Sequence, residues 1–251
     1  MLHIIGIVII GFLVGLVARW IGPGPQFYGF WVTAAIGIAG SVLATYGGQA
    51  LGLYRVGQPA GFIGSVVGDM ELGDKRLWNF WKELQALDVP CFIHPDGFTH
   101  PQRLGKYYMW NTIAQPLEEA LAMSSFVYEG VMDAFPRLKI LICHGGGYLP
   151  FYNGRADMGY IARPETRGKA RHKPSDYFKR FFYDSVFYDD RMLEFLVQRV
   201  GDTQVMMGTD FPHFAQQWNG AAFIAQAQRL SRRTKERILS QNAARLFGIR
   251  L

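Results

Sequence analysis

Two patterns of apolar and polar positions meet near residue 69. Before it the chain is almost continuously apolar: only His3 and Arg19 interrupt Leu2–Ile21, and a second uncharged run extends from Phe27 to Tyr54. A helix needs about 20 such residues to cross a hydrocarbon core, and neither run offers the polar face of a soluble surface helix. With Gly22–Pro25 breaking them apart, the runs predict a helical hairpin inserted in a membrane through residues 1–54. Small residues spaced by four, Gly11/Gly15 and Gly37/Ser41, permit close helix packing in lipid. A cleavable signal peptide fits less well, because no basic segment precedes the first run and a second follows at once.

Beyond residue 69 the pattern changes to short apolar runs alternating with amphipathic stretches. Strands are expected at 89–94, 138–143, 181–186 and 204–208. Helices are expected at about 74–87, 116–134, 149–158, 191–200, 221–230 and 234–247, the first capped by Asp74 and carrying the stripe Leu77, Trp78, Trp81 and Leu84. A basic loop spans 161–174. Strand and helix in alternation indicate a parallel α/β sheet, and four βα units are half the number that closes a TIM-like (β/α)8 barrel. The expected organisation is therefore an apolar helical hairpin, 1–68, followed by the C-terminal half of such a barrel, 69–251.

Composition sharpens this division. The chain has a formal net charge of +6, yet its first 69 residues carry only Arg19, Arg55 and Asp69. Basic residues cluster in 163–180 and 229–237 without regular aromatic interleaving, so they read as solvated faces and no nucleic-acid partner is expected. Cys91 and Cys143 lack CxxC spacing and read as a reduced, buried pair.

Three strand ends carry chemistry. The run 89–94 ends in His94 before Pro95, 140–143 leads to His144 and three glycines, and 204–209 leads to Asp210 before Phe211-Pro212. Imidazole, imidazole and carboxylate at one rim of a parallel sheet suit one divalent metal, zinc or another first-row ion. A metal so held activates water or polarises an oxygen while a histidine moves protons. His144-Gly-Gly-Gly could also form an esterase oxyanion hole, but the chain contains no Gly-x-Ser-x-Gly nucleophile elbow. His100, His172 and His213 fall in loops and are expected to face solvent, with His213 the reserve candidate because it follows Asp210 closely. Asp184 is expected to be structural.

Several ordered segments resemble known families. Phe92–Pro95 (FIHP), His144–Phe151 (HGGGYLPF), Gly154-Arg155, Arg163-Pro164, Tyr183–Ser185 (YDS), Met207–Pro212 (MGTDFP) and Asn242–Gly248 (NAARLFG) make residues from about 72 to 249 similar to the C-terminal half of the amidohydrolase-2 family. That resemblance implies non-oxidative decarboxylation of a carboxylated aromatic or muconate-like small molecule, or hydrolysis or hydration of related compounds. It implies His94 and Asp210 as metal ligands and His144 with Asp210 as acid/base groups. Arg155 would bind a substrate carboxylate, across a homodimer interface or within one chain; its alternative is an ion pair with Asp157. The family's His-x-His pair on the first barrel strand has no counterpart anywhere in the chain.

The segments Gly11–Gly15, Ala18-Arg19, Gly22–Gly24, Gly37–Gly40 and Gly57–Gly64 resemble the GlsB/YeaQ/YmgE small membrane proteins. Together the two resemblances imply a membrane-tethered catalytic half, and its C-terminal domain is expected on the cytoplasmic side. Gly61–Gly68 fits both families and reads as the crossover of a gene fusion, a truncated remnant or an assembly artefact. The competing expectation is a non-catalytic small membrane protein fused to an inactive amidohydrolase remnant.

Overall fold

The computed structural model describes residues 70–95 and 97–250. The hairpin expected over 1–54 and the crossover at 61–68 lie outside the described residues. Among the described residues no helix is long and apolar enough to cross a membrane.

Asp74 starts the first helical stretch as expected, its carboxylate accepting the Arg76 N–H at the head of the 3-10 turn Lys75–Leu77. The turn leads into α1 (Trp78–Ala86). Of the apolar stripe, Leu77 and Trp81 are buried while Trp78 and Leu84 are half-buried. Trp81 is fully enclosed, packs edge-on against Phe126 at 5.0 Å and donates its indole N–H to the Leu72 carbonyl at 2.9 Å. The indole is thus anchored at its polar end as well as by its apolar body.

Three strands form a parallel sheet in the order β1 (Cys91–Ile93), β2 (Ile140–Ile142) and β3 (Phe182–Tyr183). The fourth expected strand is shorter than its apolar run: Val205 alone makes a parallel bridge, to Tyr183. Side chains alternate across a strand. Accordingly Leu141 packs with Met206 and Leu246 in a separate cluster from its neighbours Ile140 and Ile142, all of which are buried.

The crossovers are helical, as a parallel sheet requires. Between β1 and β2 run α2 (Pro101–Leu104), the π-helical turn Trp110–Ala114, α3 (Gln115–Tyr128) and α4 (Val131–Ala134). The single helix expected over 116–134 is divided because Gly130 adopts φ 80°, a left-handed conformation that ends a helix and that glycine takes without steric cost. Between β2 and β3, α5 (Asn153–Ala162) is followed by α6 (Pro174–Phe178) at the end of the expected basic loop. After β3 comes α7 (Asp190–Val200), capped by Asp189 and burying Leu193, Leu196 and Val200 on one stripe. Each of these leucines stabilises the packing by about 1.5–3 kcal/mol. The chain closes through α8 (Gly220–Gln226), α9 (Arg232–Glu236), the π-helical turn Arg237–Gln241 and α10 (Asn242–Phe247).

Candidate metal and acid–base centre

The C-terminal ends of the parallel strands meet at one rim. His94 directly follows β1, His144 lies two residues beyond β2, Asp184 directly follows β3, and Asp210 lies five residues beyond Val205. Asp210 is the meeting point. Its Oδ1 lies 3.2 Å from His94 Nε2 and 3.5 Å from His144 Nε2, while its Oδ2 lies 3.6 Å from His213 Nδ1.

Two local features aim these rings. His94 Nδ1 lies 2.9 Å from the Pro95 carbonyl, which can only accept; Nδ1 therefore carries the proton, and Nε2 is directed at Asp210. His144 Nδ1 is held from behind by Glu119, a fully buried carboxylate on α3. The turn His144–Gly146 needs left-handed backbone and close contact together. Gly145 has φ 60° and a Cβ there would lie 2.0 Å from the Phe187 ring; Gly147 has φ 61° and a Cβ would lie 2.1 Å from the Pro116 carbonyl. Asp184 braces the turn by accepting the Gly145 and Val186 N–H groups, each at 3.1 Å. That is the structural role expected of it.

The electrostatics follow from this geometry. Hydrogen bonding to Asp210 raises the His94 pKa against the opposing effects of burial and of His144. Burial opposes charge on His144, but hydrogen bonds to Asp210 and Glu119 and the pull of Glu119 and Asp184 outweigh it, pushing its pKa up to about 11. Burial also opposes charge on Asp210, yet hydrogen bonds from His144 and His94 hold its carboxyl well below the usual carboxylate range. Burial pushes the Glu119 carboxyl above its usual range, while its hydrogen bonds to His144 and Cys143 pull it back down. Two acidic side chains thus sandwich one imidazole, and a proton on His144 is stabilised on both sides.

The donor set fits a divalent cation. His94 Nε2 and Asp210 come from separate strand ends to one point, and the Nδ1–H of His94 is satisfied by a backbone carbonyl, the arrangement that fixes a ligating imidazole. Cys143 also lies close to both histidines. Without a metal its thiol is held in the protonated form: burial pushes its pKa well above the usual thiol value, and its Sγ–H donates to Glu119 Oε1 at 3.1 Å. Cys91 and Cys143 are both free thiols.

In front of His144 and Asp210 opens a cavity of about 630 Å³ lined in part by Tyr108, Tyr148, Tyr188 and Trp218. Its size and aromatic lining suit a small planar molecule. Arg155 is exposed on α5 and is not among the residues that line this cavity. Its alternative partner Asp157 is engaged elsewhere, accepting from Ser175 Oγ at 2.7 Å and lying 3.7 Å from Lys173 Nζ.

The structure brings His94, His144 and Asp210 together and leaves Arg155 apart. It corrects the expectation that His213 faces solvent, because a turn from Asp210 to His213 (N–H to carbonyl, 2.8 Å) folds that ring back beside the carboxylate. His100 and His172 are exposed. The residue that sequence reasoning missed is Glu119. The available signal was the Glu118-Glu119 pair inside an otherwise uncharged helix, Gln115–Tyr128.

The chain is 32% identical over 198 residues to 2-amino-3-carboxymuconate-6-semialdehyde decarboxylase of Dictyostelium discoideum, a match covering 78% of this chain and 55% of that protein. Its fold resembles that of 5-carboxyvanillate decarboxylase from Sphingomonas paucimobilis, with a TM-score of 0.68 and 28% identity over 75% of this chain and 58% of that one. It also resembles a dihydroxybenzoic acid decarboxylase from Polaromonas, solved with bound manganese and the inhibitor 2-nitroresorcinol, with a TM-score of 0.65 and 25% identity over 72% and 56% of the two chains. The chain spans a little over half the length of these relatives. Residues 53–249 match the amidohydrolase family Amidohydro_2, and with most of its length so matched the chain belongs to that family.

Proposed function

We infer that this chain carries the metal-holding and proton-handling part of a divalent-metal-dependent decarboxylase acting on a carboxylated aromatic or muconate-like small molecule. The observation that carries this reading is the convergence of His94 Nε2 and His144 Nε2 on Asp210 Oδ1 at the mouth of an aromatic-lined cleft. His94 and Asp210 are the residues that would hold the ion, zinc by the chemistry of the donor set, and once bound it supplies a Lewis acid for substrate oxygens.

The remaining chemistry belongs to the chain. Tyr108, Tyr148, Tyr188 and Trp218 offer aromatic faces that orient a planar substrate and displace water from it. In decarboxylation the C–C bond to the carboxylate breaks, CO2 leaves, and the electron pair stays on the substrate carbon. That carbon takes the proton from His144 Nε2, while Glu119 holds the imidazole through Nδ1. One proton is consumed and one CO2 released per turnover.

Further parts of the reading rest on sequence and resemblance. The described strands belong to the C-terminal half of a (β/α)8 barrel. Residues 1–54 tether the chain to a membrane with the C-terminal domain on the cytoplasmic side. Arg155, outside the cleft of its own chain, grips a substrate carboxylate in the second copy of a homodimer. A second reading, an inactive remnant fused to a small membrane protein, is favoured by one observation: the sequence contains no His-x-His pair.

One experiment separates the two readings. The purified chain is reconstituted with zinc or manganese, its bound metal measured, and CO2 release followed with 5-carboxyvanillate and dihydroxybenzoic acid as probes. The decarboxylase reading expects one ion per chain, lost in the His94→Ala/Asp210→Ala double variant, and CO2 release that His144→Asn abolishes. No stoichiometric metal and no CO2 would establish the remnant.

A further inference from the structure

We propose that Glu119 is the positioning residue of His144: it fixes the imidazole with Nδ1 protonated and Nε2 facing the cleft, independently of Asp210. The proposal deepens the decarboxylase reading and rests on it for the role of His144 as proton donor.

Glu119 lies on α3, and its side chain has no exposure to solvent. A carboxylate so deeply buried is costly unless its charge is met. His144 Nδ1 meets it at Oε1, and the Cys143 thiol donates to the same oxygen. The second oxygen, Oε2, has no hydrogen-bond partner and lies against the backbone of Gly147, where a Cβ would come within 3.0 Å of it. A buried glutamate with one oxygen unsatisfied and the other doubly engaged is held for its contact with the imidazole. A solvating role is excluded by its burial.

The consequence appears when Asp210 is engaged by a cation. Of the two carboxylates that sandwich His144, Asp210 then serves the ion, and Glu119 alone continues to orient the ring. Because Nδ1–H is committed to Glu119, Nε2 is the nitrogen that remains free to exchange a proton with substrate. The logic is that of a carboxylate that sets the tautomer and orientation of a histidine base without touching the substrate. The three anchoring parts, Cys143, Glu119 and Gly147, all lie between the start of α3 and the turn after β2.

The test uses protein labelled with 15N-histidine, with His144→Asn assigning the ring resonance. The parent is expected to show a downfield, slowly exchanging proton on His144 Nδ1. Glu119→Leu is expected to abolish it. Glu119→Gln, which preserves shape and removes the charge, is expected to keep it with faster exchange, so the result does not depend on the leucine variant folding. The same Nδ1–H signal with the same exchange rate in both variants overturns the proposal. In turnover, Glu119→Gln is expected to lower kcat by about 10²–10⁴-fold with KM unchanged, the size of a general acid contribution. A KM effect alone overturns it too. The resonance is read whether or not the parent turns over, so failure of the decarboxylase reading and failure of the clamp are told apart.

Discussion

The loop that carries Asp210 hangs from Asn242. This side chain is 2% exposed at the start of α10, and its Nδ2 donates to the Asp202 carbonyl at 2.7 Å and to the Val205 carbonyl at 2.6 Å. Val205 is the residue that extends the sheet beyond β3, so these bonds tie the C-terminal helix to the last sheet position before the site. Asn242→Ala removes both. A hydrogen bond contributes about 0.5–1.5 kcal/mol net, and a buried acceptor left without a donor raises the cost to about 1–3 kcal/mol. Two bonds with partial rescue by water give a loss of about 2–4 kcal/mol, which for a chain of this size lowers Tm by roughly 5–15 °C. The bond from Met207 N–H to the Ile238 carbonyl, 2.8 Å, stays in place and keeps the loop attached. Asn242→Asp is the decisive control, because it keeps the volume, cannot donate when ionised, and sets a carboxylate against two carbonyls. Urea and thermal unfolding of parent and both variants measure the effect. An aspartate variant within about 0.5 kcal/mol of the parent, the range of an ordinary surface substitution, would refute the assignment of stability to these two bonds.

Two further outcomes follow from the site. Gly145→Ala forces a left-handed residue, at about 1–2 kcal/mol, and a Cβ into the Phe187 ring, at about 1–3 kcal/mol; a stability loss of about 2–5 kcal/mol by urea unfolding is expected, and a loss below about 0.5 kcal/mol contradicts the packing. The pH dependence has opposite signs with and without metal. His94 and His144 have raised pKa values in the folded chain, so in chelator their contribution is fully present below the unfolded histidine value of 6.5 and is lost as pH rises, for His144 toward about 11. A divalent ion must displace the proton on His94, so the Tm increase on adding zinc or manganese is expected to be larger at pH 8 than at pH 6. A metal-induced shift independent of pH, read by calorimetry in the two buffers, rules out ligation by His94.

What the sequence made legible were residues whose chemistry is announced by their own neighbours. His94 ends an apolar run and precedes proline, His144 ends another and precedes three glycines, and Asp210 follows a third; each break marks the sheet rim without knowledge of any distant contact. The division of the helix expected over 116–134 was visible in Gly130 by the same kind of signal. Long-range pairing was harder to read. The run from Gln204 to Gly208 looks like a strand, yet only Val205 pairs, because β3 opposite it is two residues long and offers no further ladder. His213 looked like a loop residue because the turn that returns it to Asp210 depends on the backbone at the rim. Glu119 is the clearest case. It and Glu118 are adjacent carboxylates on one helix, both buried, and composition cannot rank them. Packing of α3 against the turn after β2 gives Glu119 the His144 imidazole, while Glu118 receives the Thr99 N–H at 2.5 Å. The residue type is set by the sequence; the partner is decided by closure of the crossover helix onto the sheet, and that choice turns an ordinary helical glutamate into the group that aims a histidine.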